Sequence, residues 1–439
     1  MLAVLRNRTY RHLLLAQVIA LIGTGLATVA LGLLAFNLAG DKAGAVLGTA
    51  LAIKMIAYVG VAPIASAFAE RLPRRVMLVT LDLVRAAVAV ILPFVTEIWQ
   101  VYILIFLLQS GSAAFTPTFQ ATIPDVLPDE RDYTRALSLS RLAYDLESVV
   151  SPLLAAALLT VISFNNLFAG TVIGFVASAL LVVSVVLPSP KPAAHRGIYD
   201  RTTRGLRIYL RTPRLRGLLA LTFAVSAAGA MVIVNTVVLV QAGFELDQQW
   251  TAIALTAFGA GSMGAAFALP SLLDRFPDRA VMLVGAAILV AAMLLGSLLA
   301  GYASLLALWA VVGIGYSVTQ TPAGRLIRRS SNPEDRPALF AAHFALSHAT
   351  WLVTYPLAGW LGVAAGLPLT FLAMAAIAAA GLLTALYMWP AHDPMIVEHT
   401  HADLPEGHAH IADARRAGAD YVHAHDFVID NKHVSWPTR

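Results

Sequence analysis

The chain has 439 residues, of which 59% are hydrophobic and 13% are charged, and its mean hydropathy is +0.75. Soluble domains carry about 25% charged residues, so this composition excludes an ordinary soluble protein and indicates a membrane protein. The sequence contains no cysteine, which excludes disulfides, thiolate metal sites and cysteine nucleophiles.

Twelve long apolar runs follow one another along the chain. A helix rises about 1.5 Å per residue and needs about 20 apolar residues to cross about 30 Å of hydrocarbon. The N-terminal stretch MLAVLRNRTYRHLLLA lacks a cleavage-site pattern, so we expect the first helix to be retained. We predict an all-α polytopic fold with spans near residues 12–38, 44–69, 76–96, 99–123, 136–162, 166–187, 215–243, 249–273, 280–300, 303–326, 338–363 and 367–390.

Lysines and arginines are concentrated in alternate connections between these spans. One set of connections carries nearly all of them, whereas the opposite set carries only Lys42. The positive-inside rule then predicts a multi-pass protein of the inner (plasma) membrane with both termini in the cytoplasm. The pI of about 9.5 reflects this topology and gives no support for nucleic-acid binding.

The chain divides into two similar halves. Landmarks recur 204 or 205 residues apart, among them Pro73 with Pro277 and Arg131 with Arg336. Such a duplication indicates a transporter whose halves rock around a site near the membrane midplane. We predict an N-terminal six-helix bundle (1–187), a cytoplasmic linker (188–213), a C-terminal six-helix bundle (214–390) and a His-rich cytoplasmic tail (391–439).

A charged motif lies between the second and third spans. It reads SAFAERLPRR and is similar to G-x-x-x-D-R-x-G-R-R, with Ser66 and Pro73 in place of the glycines. Through this motif, residues 1–390 resemble the major facilitator superfamily. The stretches LRNRTYRHLLLAQVIALIG and TLDLVRA resemble its bacterial drug and siderophore efflux branch, which includes the enterobactin exporter. The resemblance implies two pseudo-symmetric six-helix bundles and export by alternating access.

The resemblance also implies a network of charges that latches the halves in the outward-facing state. Asp82 and Arg85 are three residues apart and hence neighbours on one helix face. We assign them to this network, with a conformational role rather than a substrate-binding one. The predicted network comprises Glu70, Arg71, Arg74, Arg75, Asp82, Arg85, Asp274, Arg275 and Arg279.

Ionisable residues also occur well inside the predicted spans. Each costs about 2.5–3.5 kcal/mol on insertion scales, which makes it a functional candidate. Arg141 and Asp145 share a face of the fifth helix, whereas Glu147 points about 160° away from Asp145. We predict that one carboxylate pairs with Arg141 and that Glu147 is the better proton carrier, with an interhelical salt bridge as the alternative.

Three further intramembrane residues have two interpretations each. Lys54 could be a counter-ion to Asp145 or Glu147, or a contact for an anionic substrate. His343 and His348 could each couple proton flow to rocking, or could form hydrogen bonds across the bundle. The sequence leaves these alternatives open.

The tail holds eight of the twelve histidines. They include three His-x-His pairs, and alternate residues of an extended segment can point toward one ion. Neutral imidazoles suit Zn, Ni, Co or Cu ions. The alternative is a polar extension that contacts the transporter body. The candidate metal ligands are His399, His401, His408, His410, His423 and His425.

Three functions follow, in order. The chain lacks a G-x-x-x-x-G-K-[ST] loop and a Ser/His/Asp arrangement, so we expect neither ATP-driven transport nor an enzyme. The first prediction is a proton-coupled exporter of a small organic compound. The second is a divalent-metal exporter, and the third is a non-transporting sensor or interaction protein. The expected partners are lipids, a small-molecule substrate and protons, for a monomer with no required cofactor beyond a metal ion on the tail.

Overall fold

Twelve helices of at least 18 residues make up most of the structure, a computed structural model that describes residues 2–39, 43–69, 72–188, 197–401, 408–417 and 420–437. Two shorter helices, α7 and α12, lie between them. In chain order the helices are α1 (Arg8–Ala39), α2 (Ala43–Ala69), α3 (Arg74–Ile91), α4 (Ile98–Val126), α5 (Glu130–Leu159), α6 (Phe164–Val183), α7 (Ile198–Arg211), α8 (Pro213–Val237), α9 (Gln248–Leu273), α10 (Asp278–Gly296), α11 (Tyr302–Gln320), α12 (Ala323–Arg329), α13 (Arg336–Ala364) and α14 (Leu367–Met388).

The twelve long helices lie at the positions of the twelve predicted spans. Within the described ranges, ten of them are long and apolar enough to cross a membrane by length and composition. The other two, α5 and α13, have 30 and 29 residues. Helix α5 carries Arg141, Asp145 and Glu147, and α13 carries His343 and His348. The prediction of an all-α polytopic fold is confirmed.

The long helices form two groups. Helices α1 to α6, the N-terminal group, pack mainly against one another, and helices α8 to α14, the C-terminal group, do the same. Contacts between the groups run through α2 with α13, α4 with α13, and α5 with α9. We call the end of the bundle that carries the arginine-rich connections the arginine-rich end.

One predicted span is interrupted. A single helix over 303–326 was expected, but α11 ends at Gln320 and α12 begins at Ala323. Pro322 lies at the junction, where its missing N–H removes a helical hydrogen bond. Two arginines of α12 contact the N-terminal group, Arg325 at Glu130 and Arg328 at the carbonyl of Pro128.

The connection between the two groups was predicted as a cytoplasmic linker over 188–213. Its described part contains helix α7. Ile208 and Tyr209 of α7 are buried. The helix packs closely on α13, because a Cβ on Gly205 would lie 2.0 Å from the carbonyl oxygen of Ala338. The linker is therefore, over its described part, a packed element of the membrane body.

The tail forms a small antiparallel sheet with the strand order β1-β3-β2, where β1 is Ile396–His401, β2 is Arg415–Ala417 and β3 is Asp420–Asp426. His399 lies directly opposite His423, so both side chains project from one face. Phe427 and Ile429, just beyond β3, are buried in the apolar core of the C-terminal group. The tail is therefore packed against the C-terminal group.

Candidate functional site

A carboxylate at the end of α4 joins the two helix groups. Nη1 of Arg74, on α3, lies 2.5 Å from Oδ2 of Asp125. Arg336, the first residue of α13, pairs with the other oxygen of the same carboxylate. Asp125 is thus shared by a cation from each group.

A second contact lies beside it. Arg325 of α12 pairs with Glu130 of α5 and, within its own group, with Asp278 at 2.8 Å. The backbone approaches closely here, because a Cβ on Gly324 would lie 2.6 Å from the hydroxyl of the fully buried Tyr133. We call Arg74, Asp125, Glu130, Arg325 and Arg336 the latch.

The latch shares only Arg74 with the charge network predicted from the sequence. Asp274 forms an exposed pair with Arg131 at 3.6 Å, and Arg279 donates to the carbonyl of Trp389 at 3.0 Å within its own group. Neither Arg75 nor Arg275 has an ion pair among the residues that the structure describes. Glu70 and Arg71 lie outside the described residues.

Four latch residues were missed, because their partners are far away in the sequence. Asp125 and Arg336 are 211 residues apart. A signal was present, since Asp125 lies three residues before the start of the PDERD stretch (128–132), whose counterpart in the second half, PEDRP, contains Arg336.

The structure places Asp82 and Arg85 away from the latch. They form a buried ion pair, and Ser178 of α6 donates to Asp82 at 2.8 Å. The guanidinium of Arg85 lies between the rings of Phe115 and Phe175, 4.2 and 4.4 Å from their centroids. The pair is two helical turns beyond Arg74, about 12 Å along α3, so it joins α3, α4 and α6 rather than the two groups.

We expect Asp82→Asn to destabilise the protein strongly. Removing one partner of a buried pair leaves an uncompensated charge, at a cost of about 3–5 kcal/mol in the free energy of unfolding. Asp274→Asn is the control, because its exposed pair is worth about 1 kcal/mol or less. Thermal unfolding of the purified proteins in detergent measures both, and equal melting temperatures for the two variants would contradict the structural role.

A cavity of about 140 Å³ lies between the helix groups, on the membrane side of the latch. Its walls mix aromatic, amide and charged side chains from both groups. A drug-sized ligand needs about 300–1,000 Å³, so the groups must separate before such a ligand fits. Residues that line the cavity include Gln17, Gln120, Arg141, Tyr144, Gln320 and His343.

Arg141 and Asp145 form an ion pair on one face of α5, in the geometry expected from their spacing. Arg141 also donates to the hydroxyl of Ser262 on α9 at 3.1 Å, and its guanidinium lies 4.8 Å from the ring centroid of Tyr316 on α11. Asp145 is 2% exposed. This pair is therefore a contact between the helix groups that holds the carboxylate charge in place.

Glu147 is in a different situation. Its carboxylate lies against Gly25 of α1, and no ion pair to it occurs among the described residues. The cation that acts on it electrostatically is Lys54 of α2. The ammonium of Lys54 lies 5.5 Å from the ring centroid of Tyr58 and likewise has no ion pair within the described ranges. Glu147 and Lys54 are thus opposite charges held apart near the middle of the bundle.

The two intramembrane histidines face different neighbours. Nδ1 of His343 lies 3.0 Å from the hydroxyl of Tyr209 on α7. Nδ1 of His348 lies 2.7 Å from the carbonyl oxygen of Phe344, and its ring packs edge-on against Tyr58 at 4.7 Å. Each ring therefore has a hydrogen-bond partner, and His348 packs across the interface of the helix groups.

The tail brings most of its predicted ligands together. Nitrogen atoms of two overlapping sets of four histidines lie within 4.8 Å of one another, with His399 and His410 in both sets. The sets are His399, His410, His423 and His425, and His399, His401, His410 and His433. His433 was not predicted. His408 lies outside both sets, because its Nδ1 accepts from the backbone N–H of His410 at 3.1 Å.

The surroundings favour the neutral form of two of these imidazoles, those of His399 and His410. Burial, together with the neighbouring histidines, lowers the pKa of His399 and of His410 to about 4. Burial would raise the pKa of Asp430, but hydrogen bonds from His433 and from backbone N–H groups hold it below its usual range. The cluster therefore offers imidazole nitrogens next to a carboxylate, which is a donor set suited to a borderline divalent cation.

Comparisons with known proteins agree with this architecture. Macrolide efflux protein A of Streptococcus pyogenes is 28% identical over 152 residues, which is 32% of this chain and 37% of that protein. The protein of the same name from Enterococcus faecalis is also 28% identical, over 47% of its length. The chain thus aligns with less than half of each of these curated relatives.

Solved structures share the fold over nearly their full length. The human organic anion transporter MFSD10 (TETRAN) superposes with a TM-score of 0.75 at 14% identity, covering 86% of this chain and 99% of that one. A bacterial homologue of the iron transporter ferroportin, in its outward-facing state, gives 0.73 at 14% identity, covering 87% and 99%. The E. coli fucose:proton symporter FucP gives 0.69 at 15% identity, covering 87% and 98%.

A family model named Major Facilitator Superfamily matches residues 13–292 and 219–417, and so covers both helix groups. Together with twelve long helices in two groups joined by a latch, this match shows that the chain belongs to the Major Facilitator Superfamily and is a multi-pass membrane transporter rather than an enzyme.

Proposed function

We propose that this transporter is a proton-coupled exporter of a small organic compound and that Glu147 is the residue that takes up and releases the proton. The observation that carries this proposal is the contrast between the two carboxylates of α5. Asp145 is fixed by Arg141, whereas Glu147 has no ion pair among the described residues and lies near the middle of the span. An intramembrane carboxylate without a fixed partner can exchange a proton as its surroundings change.

The walls of the central cavity support an organic substrate. Tyr144 and Phe119 offer aromatic surface, and Gln17 and Gln120 offer hydrogen bonds. Such a mixture of apolar surface and a few polar groups suits an amphipathic organic molecule. The similarity to macrolide efflux proteins over a third of the chain supports the direction of transport and makes a macrolide the first compound to test.

The distribution of positive charge supports an orientation. By the positive-inside rule the arginine-rich end faces the cytoplasm of a plasma membrane, with both termini on that side. The latch closes this end, so we assign the structure to an outward-facing state. The expected partners are lipids, the substrate and protons, and we propose a monomer.

A second candidate function is export of a divalent metal ion, which the histidine cluster of the tail favours. The helices argue against it. Among the described residues, no comparable group of three or more metal ligands lies within the membrane spans. A metal ion that reached the tail would thus lack a matching site along the pathway.

Proteoliposomes separate the two functions. We expect a pH gradient to drive uptake of a labelled macrolide, or of a fluorescent lipophilic cation, into inverted vesicles that contain the full chain. We expect no gradient-driven uptake of Ni²⁺, Co²⁺ or Zn²⁺ above the level of empty vesicles. Metal flux without flux of either organic probe would reverse the order of the two functions.

A further inference from the structure

Imidazole rings from the whole length of the tail converge on one face of the sheet. Nε2 of His399 lies 3.1 Å from Nε2 of His401, of His423 and of His433. Nε2 of His410 is also 3.1 Å from that of His433. The arrangement thus joins rings from β1, from β3, from the turn before β2 and from the C-terminal segment.

The outer nitrogens of two of these rings are already occupied. Nδ1 of His399 faces the carbonyl oxygen of Val397 at 3.0 Å, and Nδ1 of His433 faces Oδ1 of Asp430 at 2.9 Å. Acceptors at these positions place the ring proton on Nδ1, which leaves the lone pair on Nε2. Hydrogen bonds of this kind, from the outer nitrogen to a carbonyl or carboxylate, orient metal-binding histidines in proteins.

The Nε2 atoms of His399 and His433, 3.1 Å apart, therefore face each other as acceptors. Nε2 of His425 is buried and has no hydrogen-bond partner among the described residues. Lone pairs that converge without a proton or a cation repel one another and lose their hydration. Four nitrogens about 2.0–2.1 Å from a tetrahedral Zn²⁺ would be about 3.3–3.4 Å apart, close to the spacing of the pairs seen here.

We propose that the tail binds one borderline divalent cation, Zn²⁺, Ni²⁺ or Co²⁺, through the Nε2 atoms of four histidines that include His399 and His410. In this proposal the bound ion also holds the tail against the helices beside the latch, an effect that we call the brace. A single ion is expected because both candidate sets share these two residues. Since Nδ1 of His399 is engaged elsewhere, its one free nitrogen serves one ion at a time.

The brace follows from the contacts of the segment that carries His433. Two residues before His433, Oδ1 of Asn431 accepts a hydrogen bond from Nη1 of Arg204 on α7 at 2.8 Å. Arg204 in turn donates to Asp335 at 2.7 Å, and Asp335 directly precedes Arg336 of the latch. Fixing His433 on the ion therefore fixes its neighbours against α7 and the start of α13.

Other contacts of the tail reach the same region. Trp436 packs against Arg214, whose guanidinium lies 5.0 Å from the ring centroid, and Val434 accepts from Arg211 at 2.9 Å. A cavity of about 230 Å³ separates Asp426 and Phe427 from Glu130 and Arg325 of the latch. The tail is thus placed where its rigidity can influence the closed end of the transporter.

Metal binding is tested on the purified full chain by equilibrium dialysis against Zn²⁺, Ni²⁺, Co²⁺ or Mg²⁺. We expect one ion of the first three per chain, no Mg²⁺, and loss of binding in His399→Gln. Asp430→Asn keeps every ring and should weaken binding by about 10–100-fold, as for other residues that orient metal ligands. His392→Gln, outside the cluster, and His408→Gln should bind like the parent.

Amide hydrogen exchange measures the brace on the same samples. We expect added Zn²⁺ to slow exchange in residues 426–437, in α7 and at the start of α13, and to have no such effect in His399→Gln. Absence of binding, two ions per chain or unchanged binding in His399→Gln would overturn the site. Binding without protection of α7 would overturn the brace. Neither measurement depends on transport, so the proposed export function stands or fails separately.

Discussion

Replacing Glu147 by glutamine should abolish proton-driven accumulation of substrate while leaving substrate exchange across the membrane intact. Glutamine has nearly the same shape and retains hydrogen bonding, but it cannot release a proton. A pH difference of one unit stores about 1.4 kcal/mol per proton, which sustains about a tenfold substrate gradient in one-for-one antiport. We expect the accumulation ratio in proteoliposomes to fall from about ten to about one in Glu147→Gln.

Exchange is the internal control for this variant. Reorientation of a carrier loaded with substrate requires no change of protonation, so labelled and unlabelled substrate should still exchange. Glu147→Asp, which keeps a titratable group, should retain part of the gradient-driven transport. Glu97→Gln removes a carboxylate from the exposed connection between α3 and α4 and should behave like the parent. Parental accumulation in Glu147→Gln would remove this carboxylate from the coupling mechanism.

Lys54 also contributes to the proposed coupling, because its charge acts on Glu147. Lys54 acts on Glu147 without an ion pair to it, so protonation of Glu147 leaves an uncompensated cation in a medium of low dielectric constant. That cost changes when the helix groups move, because α2 contacts α13 of the other group through Tyr58 and His348. These contacts support the proposed coupling of proton uptake to rocking, which would run through one helix, α2.

The fold was predictable because its determinants are local and additive. Span length follows from bilayer thickness, and sidedness follows from the loop arginines. The break between α11 and α12 was not predicted, because Pro322 is compatible with a kink within one span as well as with the end of a helix. Helix α7 was missed because it is short and rich in arginine, and only its packing on α13 shows that it is a structured element.

Contacts in the candidate sites were predictable where both residues lie on one helix. They were not predictable where segments that are distant in the sequence meet. The Arg141 and Asp145 pair follows from a spacing of four residues. Asp125 meets Arg336 across 211 residues, and no periodicity encodes such a pairing. In the tail, alternation placed His399 with His401 correctly, but His433 joins them across 34 residues and belongs to no His-x-His pair.

The latch at the arginine-rich end combines ion pairs with close packing. Arg325 and Arg336 are the cations that hold the two helix groups together, and each contacts a carboxylate of the N-terminal group. Such pairs are reversible, because water can solvate the separated charges when the end opens. Close packing must therefore also contribute to the closed state, and at Gly324 the C-terminal group packs closely on Tyr133 and Leu137 of the N-terminal group.

Gly324→Leu should hold the arginine-rich end open and stop transport. A Cβ at this position would lie 2.6 Å from the hydroxyl of Tyr133 and 2.8 Å from Leu137, so both side chains would have to shift, and the further carbons of leucine would need the space that they fill in the closed state. Overpacking a closed interface costs about 1–3 kcal/mol, enough to shift the population of the closed state by roughly 5- to 150-fold. Substrate binding from the arginine-rich side should persist, because the variant remains folded with that side open.

Closure can be measured directly because the chain has no cysteine of its own. Cysteines introduced at Arg131 and Asp274, whose side-chain ends lie 3.6 Å apart across the two groups, should be joined by a short bifunctional thiol reagent readily in the parent and poorly in Gly324→Leu. Gly264→Leu is the matched control, since a Cβ there meets nothing within 4 Å and the site is exposed on α9. Efficient cross-linking in Gly324→Leu would show that the latch closes without close packing at this glycine, and that its ion pairs alone determine the closed state.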